Sequence, residues 1–130
     1  MVGTGKTATA SKHSGEPMSL SDVSALAAQL NGVTERRSDG LLEWRYRGRL
    51  VGRQLDRTHV VIRASFDFKD FLLQSFPETF SVPNRFRKHM MIVADLEAGN
   101  ADAVEDAIIG AWELQSARER RRSASHTRVA

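Results

Sequence analysis

Residues 41–65 constrain the fold more than any other part of the chain, because they carry the two-residue periodicity of consecutive β-strands. In the first predicted strand, the apolar side chains of Leu42, Trp44 and Tyr46 alternate with charged ones, and Gly48 supplies the following turn. The alternation returns over residues 59–65. This pattern predicts an antiparallel sheet with one face packed on a core and the other exposed.

The middle strand of this region, residues 50–55, is less regular. Val51, Arg53 and Leu55 are two residues apart, so they would fall on the same face of a regular strand and the charged Arg53 would point toward the core. Either Arg53 lies at a rim with its stem buried and its charge in water, or Gly52 marks a bulge that switches faces. The sequence leaves both alternatives open.

Helical patterns flank the predicted strands. A first helix, capped by Ser19 or Ser21, ends near Asn31-Gly32. Residues 33–40 are predicted to be a polar link that closes with the turn signal Asp39-Gly40, with an irregular start of the sheet as the alternative. A second helix is expected to begin at Asp67 as its cap and to end before Pro77. Its predicted core stripe consists of Phe68, Phe71, Leu72 and Phe76.

The last third of the chain continues the alternation of strand and helix. A short strand over residues 79–82 leads into the basic connector 83–89, a buried strand over residues 90–96 follows, and Asn100 caps a final helix. The predicted fold class is therefore α+β. We expect a two-layer α-β(3)-α-β(2)-α domain with a mostly antiparallel five-stranded sheet and the helices on one face.

Composition divides the chain into three predicted parts. Residues 1–17 are rich in small polar residues without hydrophobic periodicity, which predicts a disordered N-terminal extension, with Met1 or Met18 as the true start. Residues 18–122 form a single domain, and residues 123–130 a disordered tail. The chain has no apolar run of about 20 residues, no secretory signal and no cysteine, so a cytoplasmic protein without disulfides is expected.

Four histidines, at positions 13, 59, 89 and 126, do not form a pair at metal-ligand spacing on one element. The chain also lacks a nucleophile motif, paired carboxylates and a glycine-rich cofactor fingerprint. The sequence therefore predicts no enzyme activity, no metal, no cofactor and no small-molecule substrate.

Positive charge is concentrated in the predicted sheet. The net charge is only +3, yet residues 36–63 contain eight arginines against Asp39, Glu43 and Asp56. Such asymmetry is typical of a nucleic-acid-binding surface, although a solvated sheet face explains it equally well.

Several segments together resemble the bacterial MmcQ/YjbR proteins over about residues 20–115. They are NGVTE at residues 31–35, WRYRGRLV at 44–51, FPETF at 76–80 and AW at 111–112. The resemblance implies a two-layer α+β fold related to type III secretion chaperones and a DNA-binding label of the double-wing kind.

On this basis we expect weak DNA binding without strong sequence preference, through phosphate contacts from an arginine-rich sheet face and the connector. The candidate contact residues are Arg45, Arg47, Arg49, Arg53, Arg63, Arg85, Arg87 and Lys88. The alternative is a protein-interaction or chaperone-like adaptor module that docks a protein partner or a second copy. Exposure of Trp44 or Trp112 would favour this alternative, and burial of both beneath an arginine-lined face would favour nucleic acid.

Overall fold

The computed structural model describes residues 17–129, with side chains through residue 118. The predicted extension therefore lies outside the described residues apart from Pro17, as do the side chains of the predicted tail, and the division of the chain into three parts stays a prediction. The described elements are α1 (Leu20–Gln29), β1 (Val33–Ser38), β2 (Leu41–Tyr46), β3 (Arg49–Gln54), β4 (His59–Arg63), α2 (Phe66–Ser75), β5 (Phe80–Ser81), a 3-10 turn (Asn84–Phe86), β6 (Met91–Asp95) and α3 (Ala101–Val129).

The strands form a single antiparallel sheet in the order β1-β2-β3-β4-β6-β5, and the helices cover one side of it. This arrangement confirms the α+β class, but the sheet has six strands rather than the predicted five. We call the uncovered side of the sheet the open face. No helix among the described residues is both long and apolar enough to cross a membrane.

The additional strand is β1, which the sequence predicted to be a polar link. It pairs with β2 from Val33 opposite Tyr46 to Ser38 opposite Leu41, so Asp39-Gly40 is a two-residue hairpin turn. Both turn residues have positive φ angles, 54° and 80°, as a type I′ turn requires. β1 escaped prediction because it is an edge strand with four consecutive exposed residues and almost no apolar alternation.

A β-bulge explains the irregular pattern of β3. Trp44 pairs with Gly52 while the next residue of β2, Arg45, pairs with Leu50, so Val51 is the extra residue. The Val51 side chain is buried in the core and only 1% exposed. After this extra residue the side chains of β3 exchange faces, so that Arg53 lies opposite Glu43 on the open face. The bulge alternative is therefore the correct one.

Helix caps agree with the sequence in two of three cases. The Ser19 hydroxyl accepts the Asp22 amide at 3.1 Å and the Asn100 side chain accepts the Ala103 amide at 3.1 Å, as N-cap residues do. The prediction for α2 was wrong, because Ser65 rather than Asp67 is the cap. The helix consequently begins at Phe66.

The main core lies between the helices and the sheet. Trp44, Val60, Ile62, Ile92 and Leu72 are among its most buried side chains. The predicted core stripe of α2 was wrong at one position, since Phe71 is 55% exposed and stacks on the half-buried Phe68.

A second, small apolar cluster lies on the open face. Val61 and Val93, from β4 and β6, are covered there by Phe86 of the 3-10 turn. Within the part of the chain that the structure describes, the open face is therefore uncovered over β1–β3 but partly covered over β4 and β6.

Candidate nucleic-acid interface

The centre of the open face carries a cluster of three arginines around one carboxylate. Strand register places Arg36, Glu43 and Arg53 in one row across β1, β2 and β3, and Arg45 lies two residues from Glu43 on the same strand and face. We call these four residues the central cluster. Sequence reasoning did not include Arg36, because it lies on the strand that was not predicted.

Glu43 neutralises part of the central cluster. Arg45 donates a hydrogen bond through Nε to the Glu43 carboxylate and another through Nη1 to the Gly48 carbonyl at 2.9 Å, and Arg36 Nε lies 3.7 Å from Glu43. The hydrogen bond from Arg45 is the main reason why the pKa of Glu43 lies below its ordinary value, with the charges of Arg45, Arg36 and Arg53 adding to it. A phosphate group at this position would have to compete with an internal carboxylate.

Arg47 and Arg49 are separated from this cluster. Arg47 occupies the type I′ turn between β2 and β3, with φ of 47°, and its guanidinium lies 5.5 Å from the centre of the Tyr46 ring. Arg49 pairs with Tyr46, whose side chain belongs to the helix-facing core, so its register position is on the side opposite to the open face. The sheet arginines therefore do not form one continuous surface.

The connector presents the second group of cations. Arg85 lies in the 3-10 turn with its guanidinium 4.8 Å from the Phe86 ring centre, and Arg87 and Lys88 follow it as exposed residues. Arg63, at the end of β4, pairs with Met91, two residues after the connector (residues 83–89). We call Arg63, Arg85, Arg87 and Lys88 the connector cluster.

Arg63 differs from the other three because its guanidinium is partly buried. Among the described residues its Nε is enclosed without a hydrogen-bond partner. Burial, more than repulsion from Arg118, holds the pKa of Arg63 below its ordinary value. Only the part of the guanidinium that remains accessible to solvent can contact a phosphate oxygen, so Arg63 contributes to binding mainly through its charge.

Lys69 of α2 holds the connector in place, which sequence reasoning missed. This lysine is only 5% exposed, and its Nζ donates to the backbone carbonyls of Phe86 at 3.0 Å, Arg87 at 3.3 Å and His89 at 2.6 Å. Desolvation lowers the pKa of Lys69, and the negative charge of Asp70 acts in the opposite direction. No sequence pattern identifies such a contact, because the partners are backbone atoms 17 to 20 residues away.

The histidines of the described region lie at opposite ends of the β4–β6 pair. His59 is opposite Asp95 at one end, with Nδ1 3.0 Å from Asp56 and Nε2 3.6 Å from Asp95, while His89 precedes β6 at the other. Backbone and side-chain hydrogen bonds, from Thr58 first and then His59, lower the pKa of the exposed Asp56. Within residues 17–118, no group of three His, Asp or Glu side chains is placed to hold a metal ion.

Comparison with known proteins gives a likeness of fold. No protein-family model matches the chain, and no curated protein has a significantly similar sequence. The crystal structure of the Deinococcus radiodurans protein DR2400, which contains a DUF419 domain, superposes with a TM-score of 0.62 at 15% sequence identity. The match covers 75% of this chain and 78% of that one. DUF419 has the MmcQ/YjbR-like fold, so the resemblance noted in the sequence holds at the level of fold.

Proposed function

We propose that this chain is a cytoplasmic, non-enzymatic member of the MmcQ/YjbR family that binds nucleic acid through phosphate contacts without strong sequence preference. The observation that carries the proposal is the connector cluster, in which three exposed cations of the connector follow one another closely in sequence and Arg63 lies at the adjoining end of β4. The central cluster supports binding less, because Glu43 already pairs with its arginines.

The first experiment measures the affinity of the protein for labelled single-stranded and duplex DNA by fluorescence anisotropy at increasing salt. The test variant is R87A/K88A, which removes two exposed cations of the connector cluster. Arg85 is left in place because its guanidinium packs over the Phe86 ring. The control variant is R37A/R57A, which removes the same charge from exposed positions on β1 and in the β3–β4 turn.

Two lost phosphate contacts have a defined signature. The slope of log affinity against log salt should become shallower by about 1.4 for single strands and about 1.8 for duplex in R87A/K88A. The control should keep the slope of the unmodified protein. Absence of binding at low salt, or an equal loss in both variants, would refute a localised phosphate site.

A protein-interaction module is the second candidate, favoured by one observation. That observation is Phe71, an exposed aromatic side chain on α2. Neither tryptophan is exposed, since Trp44 is 2% exposed and the half-buried Trp112 donates to the Asn31 carbonyl at 2.8 Å. The tryptophans do not decide between the two candidates, because Trp44 lies in the helix-facing core and Trp112 is only half-buried. Phe71 offers a surface for a second copy or a protein partner. Sedimentation velocity over a range of concentrations, with F71A alongside, tests self-association.

A further inference from the structure

Phe66 is an exposed aromatic residue next to the connector cluster. It is the first residue of α2 and 49% exposed, although the helix buries Leu72 and half-buries Phe68. The ring contributes little to the core: it lies over the Lys69 ammonium and presents the rest of its surface to solvent.

Lys69 fixes the distance between this ring and the connector. Its Nζ lies 5.4 Å from the centre of the Phe66 ring and 2.6 Å from the His89 carbonyl oxygen. The ring centre therefore lies within about 8 Å of the connector backbone at His89, which Arg87 and Lys88 precede in the chain. An aromatic ring beside exposed cations is the arrangement by which proteins hold single-stranded nucleic acids, with bases stacked on the ring and phosphates on the cations.

We propose that Phe66 is a base-stacking residue and that single-stranded nucleic acid is the preferred ligand of the connector cluster. This inference rests on the proposed function and names its substrate class. A duplex keeps its base faces stacked on one another, so only an unpaired base can present a face to the ring. The exposed carboxylates of Asp67 and Asp70 lie on the same helix and repel phosphate, so the sugar-phosphate backbone follows the connector and the base reaches toward Phe66.

The test compares F66A with F71A for binding of a labelled oligothymidine at low salt. Phe71 is a matched control, because it is equally exposed, 55% against 49%, and lies on the same helix but stacks on Phe68 instead of adjoining the connector. F66A should weaken single-strand binding about 5- to 150-fold, the range measured for one stacked base. Its salt dependence should match that of the unmodified protein, because stacking releases no counterions. F71A should bind within about twofold of the unmodified protein.

Two further variants separate stacking from an apolar or structural role. F66W keeps an aromatic face and should retain binding, whereas F66L keeps an apolar side chain without a face and should lose as much as F66A. Denaturation curves of all variants verify that each is folded under the binding conditions.

The outcomes distinguish this inference from the proposed function. Single-strand binding that exceeds duplex binding, falls in F66A and F66L and persists in F66W supports base stacking. Equal affinity for both forms, or F66A and F71A binding alike, overturns base stacking while the phosphate site stands. Absence of binding by the unmodified protein overturns both.

Discussion

Replacing Lys69 with methionine should destabilise the fold strongly, because it removes an ammonium that binds three connector carbonyls. Methionine preserves most of the apolar stem but donates no hydrogen bond. The carbonyl of Phe86 is buried at this contact, and those of Arg87 and His89 are part-buried. A buried acceptor left without a partner costs about 1–3 kcal/mol, and the part-buried ones recover some water contacts. We expect K69M to lower the free energy of unfolding by about 3 kcal/mol.

Urea denaturation followed by circular dichroism measures this loss. With a slope of about 1.5 kcal/mol per molar urea, the midpoint should fall by about 2 M. K88M is the matched control, because Lys88 is an exposed lysine of the same connector, and its substitution should change stability by less than about 0.5 kcal/mol. If the midpoint of K69M falls no further than that of K88M, the ammonium does not hold the connector and the argument is wrong.

Three other substitutions test single features of the fold. G48A should lower the free energy of unfolding by about 1–2 kcal/mol, because Gly48 has a φ of 87° that alanine adopts only with strain. An added Cβ would meet no atom within 4 Å, so the loss comes from the backbone conformation and not from a clash. An unchanged melting temperature would argue against a fixed turn. E35A should lower the free energy of unfolding by about 1 kcal/mol, because it removes the acceptor that lies 2.7 Å from Trp44 Nε1. E35Q keeps an acceptor there and should lose less. Equal losses in the two variants would contradict this role of Glu35. The folded-state pKa of Glu43 lies below its ordinary value, so its ionised form stabilises the fold above that ordinary value and the contribution is lost as pH falls through the folded-state pKa. E43Q should therefore lose less stability on acidification than the unmodified protein in melts between about pH 7 and pH 3, and parallel profiles would refute the ion cluster.

The sequence predicted the fold class because most strands and helices carry strong periodic signals. The prediction failed at β1, where only Val33 is apolar and both sides of the edge strand carry charge. Asp39-Gly40 gave a signal for this strand, since a two-residue turn of that type joins two paired strands and so requires one before it. The bulge at Val51 could be offered only as an alternative, because an extra residue is visible only when the partner strand is known.

The candidate site was less predictable than the fold. Composition identified the arginines, but their faces depend on the bulge and on the turn at Arg47, neither of which changes the composition. The cap at Ser65 moved the start of α2 by two residues from the predicted position, and that shift put Phe66 in the first turn of the helix. Lys69 gave no signal, because its buried ammonium binds backbone atoms rather than side chains.

The connector cluster depends on the stability of the segment that displays it. Phe86 is the buried apolar side chain of the 3-10 turn, and the carbonyls on its C-terminal side are held by a lysine from the helical layer. Loss of nucleic-acid binding in K69M would therefore report a displaced connector and not a lost phosphate contact. Phe71 does not contact this lysine, but the Phe66 ring does, because its centre lies 5.4 Å from Lys69 Nζ. A loss of binding in F66A is therefore attributed to base stacking only if F66A keeps the unfolding free energy of the unmodified protein.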